Sequence, residues 1–255
     1  MSDGAADCRR TILSSLEPRD VLDVGCGSGS FTRTLAEMLG RVRSIVGIDP
    51  DKDSIDEARR YTDDRAIRYR MVSGAAMPFH DGRFDLVSIS NALHHLDDPR
   101  KVLAEMRRVA APEANLVVQE LVCDGLSPAE TNGRGVHHFK AWIDRLHGRT
   151  HRPTYSRGDV RWLVRDAEAV IEAECEVADG APEGPDSERV ADALGFLAEY
   201  LEFARDRAGY DELEHEVRRL SSSLLLYGIA TPPRLLIRAR FARSLDPGAG
   251  RTSTR

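Results

Sequence analysis

The chain is short of lysine: only Lys52, Lys101 and Lys140 stand among its 36 basic side chains, the rest being arginine. That skew suggests a GC-rich genome more than a function. An excess of positive charge is also missing. The formal net charge is −6, which argues against a broad nucleic-acid footprint, since that needs a basic face. Arg149, Arg152, Arg157, Arg161 and Arg165 do gather, but they read better as a solvated helix face. There is no apolar run of about 18 residues and no signal-like N-terminal segment, so no membrane span is expected and a cytoplasmic location is. The four cysteines, at 8, 26, 123 and 175, form no C-x-x-C and no metal-type spacing. Cys26 reads as a small apolar filler, and Cys123 as a candidate reactive thiol near a ligand edge. No repeat at a solenoid period is present. What remains is an ordinary apolar fraction over 255 residues, enough for one α/β domain with insertions.

The chemistry begins at Val21-Leu22-Asp23-Val24-Gly25-Cys26-Gly27-Ser28-Gly29-Ser30. Val21, Leu22 and Val24 make a buried strand. Gly25, Gly27 and Gly29 lack a Cβ, so the backbone can turn sharply and approach a ligand. Phe31, Leu35, Met38 and Leu39 then follow at helical spacing, with Ser28 or Ser30 expected as the cap. A glycine turn between strand and helix usually holds a nucleotide-like ligand at the helix N-terminus. The dinucleotide fingerprint needs G-x-G-x-x-G, or alanine in the last place. Here the pattern is G-x-G-x-G with Ser30 in the third-glycine place. Asp23, two residues before the first glycine, would repel a pyrophosphate but could orient an ammonium group.

A second strand, Ser44 to Asp49, ends in a carboxylate about 20 residues beyond the turn, the distance at which an acid reaches ribose hydroxyls. Asp51 and Asp53 are expected as helix caps. Ile67 to Val72 alternates as a third strand and runs into Ser73-Gly74-Ala75-Ala76-Met77-Pro78-Phe79 and Asp81-Gly82-Arg83-Phe84-Asp85. Phe84 to Asn91 is a nearly continuous apolar strand. It ends in Asn91-Ala92-Leu93-His94-His95-Leu96, where ligands of open α/β sheets bind. Asp98-Pro99 opens a helix, and Ala114 to Leu121 reads as strand five.

These motifs, in this order over residues 20 to 123, resemble class I S-adenosylmethionine (SAM) dependent methyltransferases, and within them the coenzyme Q and menaquinone type. The stretch at 72–85 looks like G-D-A-x-x-L-P-F-x-D-x-x-F-D, with Ser73 where the family has the adenine-contacting Asp. The resemblance implies a Rossmann-like seven-stranded, mostly parallel sheet of order 3-2-1-4-5-7-6, its last strand antiparallel, with helical lid insertions. It implies SAM as cofactor and S-adenosylhomocysteine as product. Asp23, Gly25, Cys26, Gly27, Gly29, Asp49, Pro50, Ser73, Gly74 and Asn91 would form the cofactor site. His94 and His95 stand as catalytic candidates.

One domain is expected over 1–244, with a lid at 124–155, a two-helix insertion at 186–226 and a disordered tail at 245–255. Within the lid, Val136, Phe139, Ile143 and Leu146 share a helical face, and His137, His138, Trp142, His151 and Tyr155 could line an acceptor pocket. Ser156 to Asp166 is a helix, Ala169 to Ala178 a strand, Asp186 to Ala208 and Asp211 to Leu226 the inserted helices, and Leu235 to Phe241 the last strand. His147 and His151 have i, i+4 spacing, but Gly148 and Pro153 argue for a loop, so no metal site is expected. The expected function is in-line methyl transfer from SAM to a small-molecule acceptor, with a homodimer possible through an apolar stripe. Two alternatives stay open: SAM binding without transfer, which Ser73 keeps alive, and an NAD-type oxidoreductase, which the first turn and Asp49 alone would allow.

Overall fold

The structure, a computed structural model, describes residues 3–178 and 186–242. The 179–185 loop and the 245–255 tail lie outside the described residues.

Seven strands form one sheet: β1 (Asp20–Val24), β2 (Ser44–Asp49), β3 (Ile67–Met71), β4 (Phe84–Ser90), β5 (Ala110–Leu121), β6 (Ala169–Val177) and β7 (Arg234–Phe241). Their order is β3-β2-β1-β4-β5-β7-β6. β1 to β5 pair in parallel, while β7 runs antiparallel to both β5 and β6, as the resemblance implies. All five residues of β1 are buried, as a central strand covered on both faces requires. Neighbours on one strand feed opposite layers. Leu22, Val87 and Val118 join one core cluster, and Val21, Leu86 and Val117 the other.

Helices flank the sheet or pack beside it. They are α1 (Asp3–Ser14), α2 (Ser30–Met38), α3 (Lys52–Arg60), α4 (Pro99–Val109), α5 (Pro128–Leu146), α6 (Arg157–Asp166), α7 (Ser187–Phe203) and α8 (Tyr210–Tyr227). Asp51 and Asp98 cap α3 and α4 through Ser54 N and Lys101 N, and Ser156 closes a capping box with Asp159 on α6. Two expected caps are corrected. Neither Ser28 nor Ser30 caps α2: its N-cap is Gly29, at φ 81, with no side-chain hydrogen bond. Asp53 lies inside the first turn of α3, where its charge suits the helix dipole. α7 ends at Phe203, short of the expected Ala208. α1 and Cys8–Cys175, a disulfide joining α1 to β6, were not expected.

α5 begins earlier than its apolar face suggested, at a capping box of Ser127 and Glu130. It packs with α7 and α8 into a separate cluster that includes Phe139, Ile143, Leu197, Leu213 and Leu220. The 147–155 loop then returns to the sheet. Arg152 N donates to His94 O at 2.7 Å, Cys123 N to Tyr155 O at 2.9 Å, and Thr150 bonds Asp97. The inserted segment is thereby fastened at the carboxyl ends of β4 and β5. No described helix is long and apolar enough to cross a membrane.

Candidate active site

Gly25, Gly27 and Gly29 all hold positive φ, at 66, 50 and 81°. The reasons differ. A Cβ on Gly25 would stand 2.6 Å from the Ala92 methyl, whereas a Cβ on Gly27 would meet nothing within 4 Å. Gly25 is a packing glycine; Gly27 faces open space. Cys26 N donates to Ile48 O at 3.0 Å, tying the turn to β2. Asp49 Oδ2 accepts from Gly27 N at 3.0 Å and Oδ1 from Asp51 N at 2.9 Å. Each oxygen keeps a further lone pair for a ligand hydroxyl.

A cleft of about 600 Å³ opens there, a ligand-sized volume. Its walls come from the carboxyl ends of β1, β2 and β4: Gly25 to Ser28, Asp49 with Pro50, and Asn91. Asn91 holds a left-handed φ of 50°, and its N–H donates to Gln119 O at 2.8 Å. The Oδ1 of Asn91 and the Oε1 of Gln119 are buried without a hydrogen-bond partner, a costly state that a ligand donor would relieve. Gln119 itself lines the cleft, as do His95, Arg9 and Arg234.

Several expected cofactor residues do not line the cleft. Asp23 is 1% exposed behind the turn. Its carboxylate accepts from Thr32 Oγ1 at 2.6 Å and Ser88 Oγ at 2.9 Å, so it joins β1, α2 and β4. Burial pushes its pKa up to about 6, against the pull of those two hydroxyls. Gly29 turns its face to Tyr69. Gly74 packs against Val24 and Val102, and the exposed Ser73 accepts from Ala75 N at 3.2 Å. Arg108 staples the following segment by bonding Met77 O and Phe79 O. The Cys26 thiol is pushed far up by burial and by Asp23 and Asp49, and burial and Asp124 push Cys123 up as well. Neither cysteine is an activated nucleophile.

The histidine candidates separate. His95 lines the cleft, whereas His94 is 1% exposed beneath it and gives its Nδ1 to Glu120 Oε1 at 2.8 Å. His137 and His151 come against this pair, with ring centroids 5.1 and 5.5 Å from that of His94. Desolvation first, and mutual repulsion second, hold the His95 imidazole down at about 4 and that of His137 at about 3. Both are therefore neutral bases at pH 7. His138 Nε2 is instead satisfied by Thr154 Oγ1 at 2.9 Å and Thr154 N at 3.1 Å. Trp142 packs in the α5–α7–α8 cluster, and Tyr155 against the main core. None of His137, His138, Trp142, His151 and Tyr155 lines the cleft itself.

Three cleft residues carried no local signal in the sequence. Gln119 lies on β5, where it reads as one polar residue in an apolar strand. Arg9 on α1 has no motif around it. Arg234 was accessible only through topology: β7 is antiparallel, so its first residue pairs with Leu121 at the carboxyl edge of β5.

Residues 22–118 match a family model described as a methyltransferase domain. Ajmaline N-methyltransferase from Rauvolfia serpentina is 32% identical over 116 residues, 45% of this chain and 40% of that protein. Demethylmenaquinone methyltransferase from Shouchella clausii is 35% identical over 102 residues, 39% of this chain and 43% of that one. The chain spans 32 to 40% of the length of the first curated relatives it matches. A SAM-dependent methyltransferase structure from Methanosarcina mazei superposes with a TM-score of 0.57 at 16% identity, covering 92% of this chain and 98% of its own, a likeness of fold. Over residues 22–118 the chain is thus similar to a methyltransferase domain, and its fold is shared with a solved SAM-dependent methyltransferase.

Proposed function

We propose that this chain transfers a methyl group from S-adenosylmethionine to a small organic acceptor, as a single domain with the α5, α7 and α8 helices as its insertions. The cleft carries this reading: a glycine turn, a carboxylate and two unpaired buried acceptors converge on one ligand-sized space. Asp49 would hold the ribose hydroxyls by charge-assisted bonds. Asn91 Oδ1 and Gln119 Oε1 would accept from the ammonium group, the role that the sequence suggested for Asp23. Arg9 and Arg234 bring positive charge suited to a carboxylate. Gly27 and Cys26 offer close backbone approach, and Pro50 bounds the space beside Asp49. SAM supplies a methyl on a positively charged sulfur, open to in-line displacement.

The remaining work is alignment and, for an acceptor that must lose a proton, a base. His95 fits that role, since it is neutral and faces the cleft. His94 is a positioning residue beneath it. The net charge of −6 speaks for a small acceptor over a nucleic acid. Phe203, Leu225, Leu226 and Tyr227 are more than half exposed at the ends of α7 and α8, which supports self-association into a homodimer. The comparisons favour neither SAM binding without transfer nor hydride transfer.

The test is to incubate the protein with SAM and a panel of small hydroxyl, amine and activated-carbon acceptors and to follow S-adenosylhomocysteine. Product from a small acceptor, and none from nucleic acid, is expected. SAM that binds and is never turned over on any acceptor class would favour the binding-only alternative.

A further inference from the structure

We propose that His94, His137 and His151 form a site for a divalent transition metal, zinc above all, held in place by Glu120 and Asp144. The inference goes beyond the methyl-transfer reading and stands independently of it. It also departs from the expectation of no metal, which weighed His147 with His151. His147 turns away to Phe203 O at 3.1 Å, and the partners of His151 come from elsewhere in the chain.

One ring nitrogen from each of the three histidines lies within 4.8 Å of the other two. They arrive from the turn after β4, from α5 and from the 147–155 loop, so no sequence spacing announces them. Nδ1 of His94 is 2.8 Å from Glu120 Oε1, and Nδ1 of His151 is 2.7 Å from Asp144 Oδ2. A carboxylate that accepts from Nδ1–H holds the proton there and leaves the lone pair on Nε2, the pairing that orients metal-ligating histidines. His137 Nε2 stands 3.2 Å from His151 Nε2. Two nitrogens bound to one tetrahedral zinc lie about 3.3 Å apart, so one edge of the site is nearly at its final length. The other two separations are at most 4.8 Å, so side-chain rotation has to shorten each by about 1.5 Å or less.

Asp144 also pairs with the Lys140 ammonium, whereas at Glu120 charge agrees with geometry. Glu120 is 0% exposed, and its donors are Leu93 N, Leu121 N and the His94 ring, with no ammonium or guanidinium among them. A buried carboxylate in that state favours a cation close by. Imidazole donors without thiolate suit zinc, copper, nickel or iron over calcium or magnesium. Three protein ligands leave a fourth position open, as in catalytic zinc sites. The ring of His95, a cleft residue, is 4.3 Å from those of both His94 and His151, so the site backs the cleft wall. The open position would take an oxygen donor: water, or a hydroxyl or carboxylate of an acceptor.

The experiment uses the full chain, stripped by a chelator and titrated with Zn²⁺ against a chromophoric competitor, with Co²⁺ absorption as a second reading. The expected result is one ion per chain, with visible Co²⁺ bands of a low-coordinate nitrogen site. His137→Gln and His151→Ala should weaken binding at least tenfold, and Asp144→Asn roughly 10- to 100-fold. His147→Ala should bind as the unaltered protein does. Circular dichroism identifies any variant that fails to fold, and the test then rests on His137→Gln, whose residue is only half-buried. Less than one ion per chain at micromolar Zn²⁺, or unweakened binding by folded His137→Gln, overturns the proposal.

Discussion

Asp23 makes a prediction that separates a buried support from a ligand-facing acid. Its carboxylate is 1% exposed, and its pKa is pushed up to about 6 from 3.8. In the unfolded chain it ionises near 3.8. Between these values the unfolded state releases a proton that the folded state keeps, so stability falls as pH rises from about 4 to 6 and then levels off. The full effect is about 3 kcal/mol, at 1.36 kcal/mol per pKa unit. Between pH 4.5 and 7.5 the part that develops is about 2 kcal/mol. Asp23→Asn keeps the size and can still bond Thr32 and Ser88, but cannot ionise. Urea denaturation of both proteins across that range isolates the term, because titrating groups not coupled to Asp23 cancel. The stability of Asp23→Asn relative to the unaltered protein should improve by about 2 kcal/mol from pH 4.5 to 7.5. A difference that is flat, or that moves the other way, refutes the burial argument and returns Asp23 to a solvated position.

Gly25→Ala should lose about 2–4 kcal/mol of stability, from a left-handed φ and the clash with Ala92. Gly27→Ala should lose only about 1 kcal/mol, since its Cβ meets open space, yet should still impair cofactor binding. Thermal melts and SAM titration of the pair check both. His95→Ala should lower kcat by a factor on the order of 100 on an acceptor that must lose a proton, with SAM affinity held, as steady-state kinetics will show. The Cys8–Cys175 bridge closes a loop of 167 residues, so reduction should cost roughly 5 kcal/mol in the chain-entropy account. Thiol titration should find Cys26 and Cys123 free before reduction and all four cysteines after it.

Much of the architecture was legible because it is written in local patterns. The apolar run of β4, the acid at the end of β2 and the Asp98-Pro99 helix start each state a geometry within a few residues. The strand order followed from the resemblance, and the antiparallel β7 with it. What escaped was non-local, or turned on which way a residue faces. Gly29, not a serine, starts α2, because the backbone there is left-handed. The capping box Ser127-x-x-Glu130 starts α5, but the apolar periodicity of the helix is written only in its later turns. Spacing put Asp23, Gly29, Ser73 and Gly74 near the ligand, yet could not tell a wall from the support behind it. His94, His137 and His151 meet only because the 147–155 loop is tied back to the end of β4.

The central claim is that the cleft between the glycine turn and Asp49 holds S-adenosylmethionine. Calorimetric titration of SAM and S-adenosylhomocysteine into the protein and an Asp49→Ala variant tests it most directly. Micromolar binding of both at one site per chain, lost or severely weakened in the variant, is the predicted result. Absence of binding, or binding indifferent to Asp49, would contradict the assignment of the cleft.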